Sequence, residues 1–277
     1  VMASAPGYAP VTDTFSVRRD ERLALTLRLP PGEAVPHGFV YVPPGRFRYG
    51  VAMPDRLRRG FFRAEPERFV TTPGFLIARD ETTVGDWITY LEDLPPAERG
   101  PAIPRMKRSG FADPLNLERA DDGRWVLTFE LKNVAHVLHQ DEALVYPNRN
   151  TQRVHPMRDL PILGTTLVQV EDYLAWLDRS GRVPNARLCT DQEWERAARG
   201  SDGRAWPHGN GLSAKDANHE DTYGEKGIGP DAVGRHPASH SPYGLRDMAG
   251  NLRDRSPDDM GALQGCPRGS TDDGCST

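Results

Sequence analysis

The chain has 277 residues, of which 27 are Gly and 25 are Pro. That is about 19% of the chain, against about 12% in average proteins, and punctuation this dense excludes a coiled coil, an all-helical bundle or a repeat solenoid. Thirty-five basic and 39 acidic residues leave a net charge of −4, so no electrostatic footprint for nucleic acid is visible. The run Arg56, Arg58, Arg59, Arg63 is broken by Phe61 and Phe62 and reads as a solvated loop. No apolar run approaches the ~20 residues of a membrane span. A hydrophobic fraction of 37% with five Trp describes a loop-rich globular protein with a substantial core.

The chain starts at Val1 without the apolar segment of a signal peptide, which suggests a piece of a longer protein. Three cysteines, Cys189, Cys266 and Cys275, are too few and odd in number for a disulfide framework. Cys189 reads as a buried structural thiol. The missing signal peptide and disulfide framework favour a cytoplasmic setting.

Residues 1–12 are small and Pro-rich and read as a linker. Residues 13–37 read as the tail of a small β domain, because Arg22–Leu29 alternates with Leu23, Leu25, Leu27 and Leu29 on one face. Residues 38–277 form the main unit. Phe39–Val42 predicts a strand, Pro43-Pro44-Gly45 a turn, and Arg46–Gly50 the returning strand of a hairpin. Residues 51–72 look irregular and Phe75–Ile77 is a short strand. Val84, Trp87, Ile88 and Leu91 give a helix capped by Thr83 and Asp86, and Pro95-Pro96 is expected to end it. Residues 95–123 look mostly like loop. Arg124–Leu131 is a strand with Trp125, Leu127, Phe129 and Leu131 inward. Leu167, Val170, Leu174 and Leu177 give a second helix closed by Gly181. Thr190-Asp191-Gln192-Glu193 opens a third, with Trp194, Ala197 and Ala198 inward. After Gly200 periodicity disappears. A stretch of that length needs a bound ion or dense turn hydrogen bonding to hold it. The tail after Asp254 is Gly-rich with no visible frame and is expected to be poorly ordered.

Gly227-Ile228-Gly229-Pro230-Asp231-Ala232 only loosely echoes a dinucleotide fingerprint and reads as a plain turn. No Walker loop, kinase catalytic loop or nucleophile elbow is present. His136 and His139, and His236 and His240, have metal-ligand spacing if helical, but Pro237 and Pro242 exclude a helix for the second pair. Asp247-Met248-Ala249-Gly250-Asn251-Leu252-Arg253-Asp254 sets two carboxylates around a Gly-Asn turn. This suits a calcium ion, which takes six to eight oxygens, although the spacing by itself favours a capped turn with solvated acids.

Four stretches together resemble the sulfatase-modifying-factor family, the formylglycine-generating-enzyme type of C-type-lectin-like fold. They are Gly38–Phe47, Glu81–Asp86, Arg187–Gly200 and Ser241–Asn251. Trp206–Gly209, Asp216–Asn218, Thr222–Gly224 and Val233–Pro237 are similar to copies that follow Ser/Thr kinase domains in bacterial chains. The resemblance implies an α+β fold, loop-rich, with short antiparallel strands and about three helices, here C-terminally incomplete. It implies one calcium site at Asp247, Gly250, Leu252 and Asp254, and another beginning at Asn218 and His219, with Asp221 or Glu225 as the later acid. It also implies copper and O2 chemistry on a protein cysteine through two C-terminal thiolates, for which Cys266 and Cys275 are the candidates. They stand nine apart, away from the family's offset. The resemblance thus leaves two readings. One is a sensor module binding a protein or small-molecule ligand, in the same chain as a kinase domain; the other is a copper-dependent formylglycine-generating oxidoreductase. The cysteine spacing favours the module.

Overall fold

A computed structural model describes residues 1–17, 19–52, 65–107, 114–131, 133–224 and 227–252, and the backbone of 254–255, 262–263 and 265–267. In chain order the elements are β1 (Met2–Ala3), β2 (Val11–Thr12), β3 (Phe39–Val42), β4 (Gly45–Tyr49), β5 (Arg68–Thr72), β6 (Phe75–Ala78), α1 (Val84–Asp93), α2 (Pro96–Ala102) and β7 (Arg105–Met106). Then come β8 (Leu115–Arg119), β9 (Trp125–Leu131), β10 (Val134–His139), β11 (Ala143–Val145), β12 (Val154–Pro156), α3 (Leu167–Arg179), β13 (Ala186–Leu188) and α4 (Asp191–Arg199). The last are α5 (Glu220–Tyr223), β14 (Asp254–Arg255), β15 (Ala262–Leu263) and β16 (Gly265–Pro267). This is the expected α+β architecture of short, mostly antiparallel strands. The described residues hold five α-helices rather than three, α2 and α5 being short.

The three expected helices start alike. Thr83, Thr166 and Thr190 each accept the N3 backbone N–H, while Asp86, Gln169 and Glu193 reach back to the cap's own N–H. Each box satisfies two donors that a helix start leaves bare, and losing the cap costs about 1 kcal/mol. Packing of α1 on α3 is aromatic: Trp87 stacks on Tyr173 at 5.1 Å between ring centroids, with Tyr90 and Trp176 5.3 Å apart beside them. The buried indole N–H groups all find acceptors, Trp87 at the Ala102 carbonyl, Trp125 at Glu92 and Trp176 at Asp93. The four-stranded sheet, in order β10-β9-β8-β7, lays Trp125, Leu127 and Phe129 into the same core. A second cluster joins Val42, Phe75 and Ile77 to Ala197, Ala198 and Leu245.

Several expectations are corrected. The strand over Arg22–Leu29 does not form, and Leu23 and Leu25 are exposed; an alternating run without a partner strand has nothing to satisfy its backbone. At the end of the stretch 1–12 that reads as a linker, Val11 and Thr12 form β2, with Val11 buried. β3 and β4 are not a hairpin. β3 pairs with β6 and β4 with β5, because Pro44 lacks the N–H that a returning ladder needs and the Pro43 carbonyl accepts from Arg196 instead. Pro95-Pro96 does not simply end α1. Pro95 caps α2 with Pro96 at its first position, where a missing N–H costs nothing. β5 and β8 occupy stretches expected to be irregular. His136 and His139 lie on the strand β10, so a three-residue spacing puts them on opposite faces, and His136 stacks on Phe129 at 5.1 Å. Of the tail expected to be poorly ordered, the backbone of 254–255, 262–263 and 265–267 forms short strands, β16 pairing antiparallel with β13; the rest of that stretch lies outside the described residues.

Candidate functional site

The loops after Gly200 converge on side chains contributed by Glu81 and by the segment Tyr146–His155. Asn251 is one hub. Its backbone N–H donates to the Asn218 carbonyl at 2.8 Å. Its Oδ1 accepts from Asp231 N–H at 2.8 Å and from Asn218 Nδ2 at 3.0 Å. Its Nδ2 donates to Glu81 Oε2 at 2.7 Å and to the Asp231 carbonyl at 3.2 Å. The other Glu81 oxygen accepts from Leu252 N–H at 3.1 Å. Local backbone permits this: Asn251 has φ 80, a left-handed conformation that Asn tolerates. Gly250 lets the turn press on Asn218, since a Cβ there would lie 2.5 Å from the Asn218 carbonyl oxygen.

Arg149 and Asp231 form the second hub, both fully desolvated. The Arg149 guanidinium lies between the rings of Tyr146 and Tyr223, at 3.5 and 3.8 Å from their centroids. It donates to the carbonyls of Gly227, Gly229 and Gln152, and Nη1 donates to Asp231 Oδ1. Asp231 Oδ2 accepts from Tyr223 and from His236 Nε2, each at 2.7 Å. Burial alone would raise the Asp231 carboxyl, but the donors His236, Tyr223 and Arg149 hold it below its ordinary range. His155 Nδ1 accepts from Ala232 N–H at 2.9 Å and Nε2 faces the Gln152 carbonyl at 2.7 Å. Burial pushes its pKa down, so the neutral ring with its proton on Nε2 satisfies both contacts. The Gly227–Pro230 turn therefore serves as a carbonyl cradle for Arg149.

The structure brings Asn218, Gly250 and Leu252 together. Asp247 lies nearby, at φ 56, and its Oδ2 accepts from Gly234 N–H at 2.5 Å. Burial pushes its pKa up to about 6. The His219 carbonyl accepts from Thr222 N–H at 3.0 Å, its ring Nδ1 accepts from Asp221 N–H, and the Asp221 residue is exposed. Glu225, Cys275 and the side chains of Asp254 and Cys266 lie outside the described residues; the Cys266 backbone stands opposite Arg187. Cys189 is buried as expected, but as one half of a disulfide rather than as a thiol. That removes the absence of disulfides as an argument for a cytoplasmic setting.

Calcium needs six to eight oxygens turned to one point. The described members of the implied sets do not fit an ion as they stand. The Asn218 and His219 carbonyls accept backbone N–H groups, Asp247 is turned to Gly234, and among the described residues no group of three or more His, Cys, Asp or Glu side chains is arranged to hold a metal ion. The carboxylate that holds the Asn251 turn is Glu81, from the motif Glu81–Asp86. Sequence reasoning gave Arg149, Asp231 and His155 no role, and placed Glu81 and Asn251 in motifs without assigning their side chains a contact. The available signal was the Glu81 motif and the Gly250-Asn251 pair; nothing local marks Arg149.

A search among curated proteins found no match. The family model described as the sulfatase-modifying factor enzyme 1-like domain matches residues 28–269, most of the chain and all of both hubs. The chain belongs to the sulfatase-modifying-factor family, with the formylglycine-generating-enzyme-like fold.

Proposed function

We propose that this domain is a non-catalytic ligand-binding module, carried in its parent protein beside a bacterial signalling kinase. The observation that carries the reading is the state of Cys189, which is disulfide-bonded in a chain of three cysteines. A bond within the chain leaves one thiol, whereas a Cu(I) centre of the kind the family implies takes two thiolates. The two hubs support the same reading. Their buried polar groups bond one another and the backbone, which makes them loop-holding scaffolds rather than groups aimed at a reacting atom. Loops fixed in this way suit recognition, and Trp206 and Ile228 stand exposed on them. The test is turnover: the domain, given copper, O2 and a cysteine-containing peptide, is assayed with an aldehyde-reactive probe. No aldehyde is expected. Aldehyde formation that stops in Cys266→Ser or Cys275→Ser would establish the oxidoreductase instead.

A further inference from the structure

Arg196 on α4 is completely buried. Its Nη2 donates to the Pro43 carbonyl at 2.8 Å, while Nε and Nη1 have no hydrogen-bond partner among the described residues. A desolvated guanidinium needs a nearby anion. The carboxylate facing it is Asp13, with Oδ1 3.6 Å from Nη2. Asp13 sits on the N-terminal segment Val11–Ser16, and that segment is seated residue by residue. Val11 is buried. Asp13 Oδ1 accepts from the Tyr243 hydroxyl at 3.1 Å and from Thr14 N–H at 2.9 Å. Thr14 Oγ1 accepts from Ser201 N–H at 2.7 Å, and Ser16 Oγ donates to the Asp202 carbonyl at 3.0 Å.

The walls of the cleft are cut to fit. A Cβ at Gly45 would lie 2.5 Å from Arg196 Nη2, and a Cβ at Gly200 would collide with Thr14 Oγ1. One glycine makes room for the cation and the other for the arm.

We propose that the cleft formed by Arg196, Tyr243 and Ser201 is a recognition site for an Asp-Thr pair on an extended segment, and that residues Val11–Ser16 occupy it as a built-in ligand. Arg196 supplies the charge, Tyr243 a directed donor, and Ser201 N–H reads the hydroxyl of the next residue. The chain before Asp13 is then fixed to the loop-bearing body rather than tethered to it.

Hydrogen exchange of the full chain tests this. In Asp13→Ala the amides of residues 11–16 and of Ser201 should exchange about tenfold faster or more. Because that variant strands a buried cation, Asp13→Ala with Arg196→Met is the companion: its melting temperature should recover while exchange at those amides stays fast. A synthetic peptide of residues 9–17 added to Asp13→Ala should restore protection at Ser201, and the same peptide with Asn in place of the aspartate should not. Unchanged exchange in Asp13→Ala, full protection in the double variant, or equal rescue by both peptides would overturn the proposal.

Discussion

Asn251 Nδ2 donates to Glu81 Oε2 at 2.7 Å across 170 residues of chain. Both oxygens of this buried carboxylate accept from the Asn251–Leu252 turn, so the acid does what a capping ion would otherwise do. Glu81→Gln should cost about 2–3 kcal/mol, because an amide must turn an N–H toward one of those donors and leave both unsatisfied. Asn251→Asp should cost at least as much, by setting two carboxylates together. Urea denaturation of each variant against the parent measures both.

The Arg149–Asp231 pair should show the asymmetry of buried ions. Asp231→Asn strands the Arg149 cation between two tyrosines and should cost about 3–5 kcal/mol. Arg149→Met combined with Asp231→Leu should cost less than the sum of its single changes, since neither charge is then left alone. A double-mutant cycle by chemical denaturation reads the coupling.

Glu193 gives a pH signature. Burial alone would raise its carboxyl, but the two-pronged Arg187 guanidinium and the Thr190 backbone and hydroxyl hold it below 4.5. A carboxyl lowered on folding adds stability that is present above its unfolded value and is lost as pH falls through the folded one. Glu193→Gln should therefore be about 2 kcal/mol less stable near pH 7, and the gap should narrow as pH drops below about 4.5. A gap independent of pH would contradict this assignment.

Three features of this fold were legible because they are local. The Thr83 and Thr190 boxes and the alternation of Trp125, Leu127 and Phe129 each fit in one short window, and each lies where the sequence puts it. The strand pairings were not. Pro43-Pro44-Gly45 reads as a hairpin turn, yet β3 and β4 take distant partners. Charged side chains were harder still. Arg149, Arg196, Asp231 and Glu81 look like surface residues, and what buries them is a partner 82, 153 or 170 residues away. Periodicity carries no trace of such contacts. The family motifs pointed to the right loops, while the chemistry inside them depends on side chains from outside those loops.

Asp247 separates a hydrogen-bonded turn from an ion site. Burial pushes its pKa up to about 6. A carboxyl raised on folding binds its proton more tightly in the folded state, so its contribution to stability falls as pH rises from about 4 to 6. Asp247→Asn keeps an acceptor for Gly234 N–H and tolerates the left-handed backbone. It should be about 1–2 kcal/mol more stable than the parent near pH 7 and equal to it near pH 4. A chelator should leave the parent's melting temperature unchanged. If calcium sat on Asp247, the signs would reverse: chelation would lower the melting temperature and the Asn variant would be the weaker protein.

The most direct test of the non-catalytic reading is a Cu(I) titration against a competing chromophoric chelator, with the domain as purified and again after disulfide reduction. The disulfide at Cys189 predicts that the purified domain takes up no Cu(I). Uptake of one Cu(I) per chain by the purified domain, abolished by either Cys266→Ser or Cys275→Ser, would contradict it.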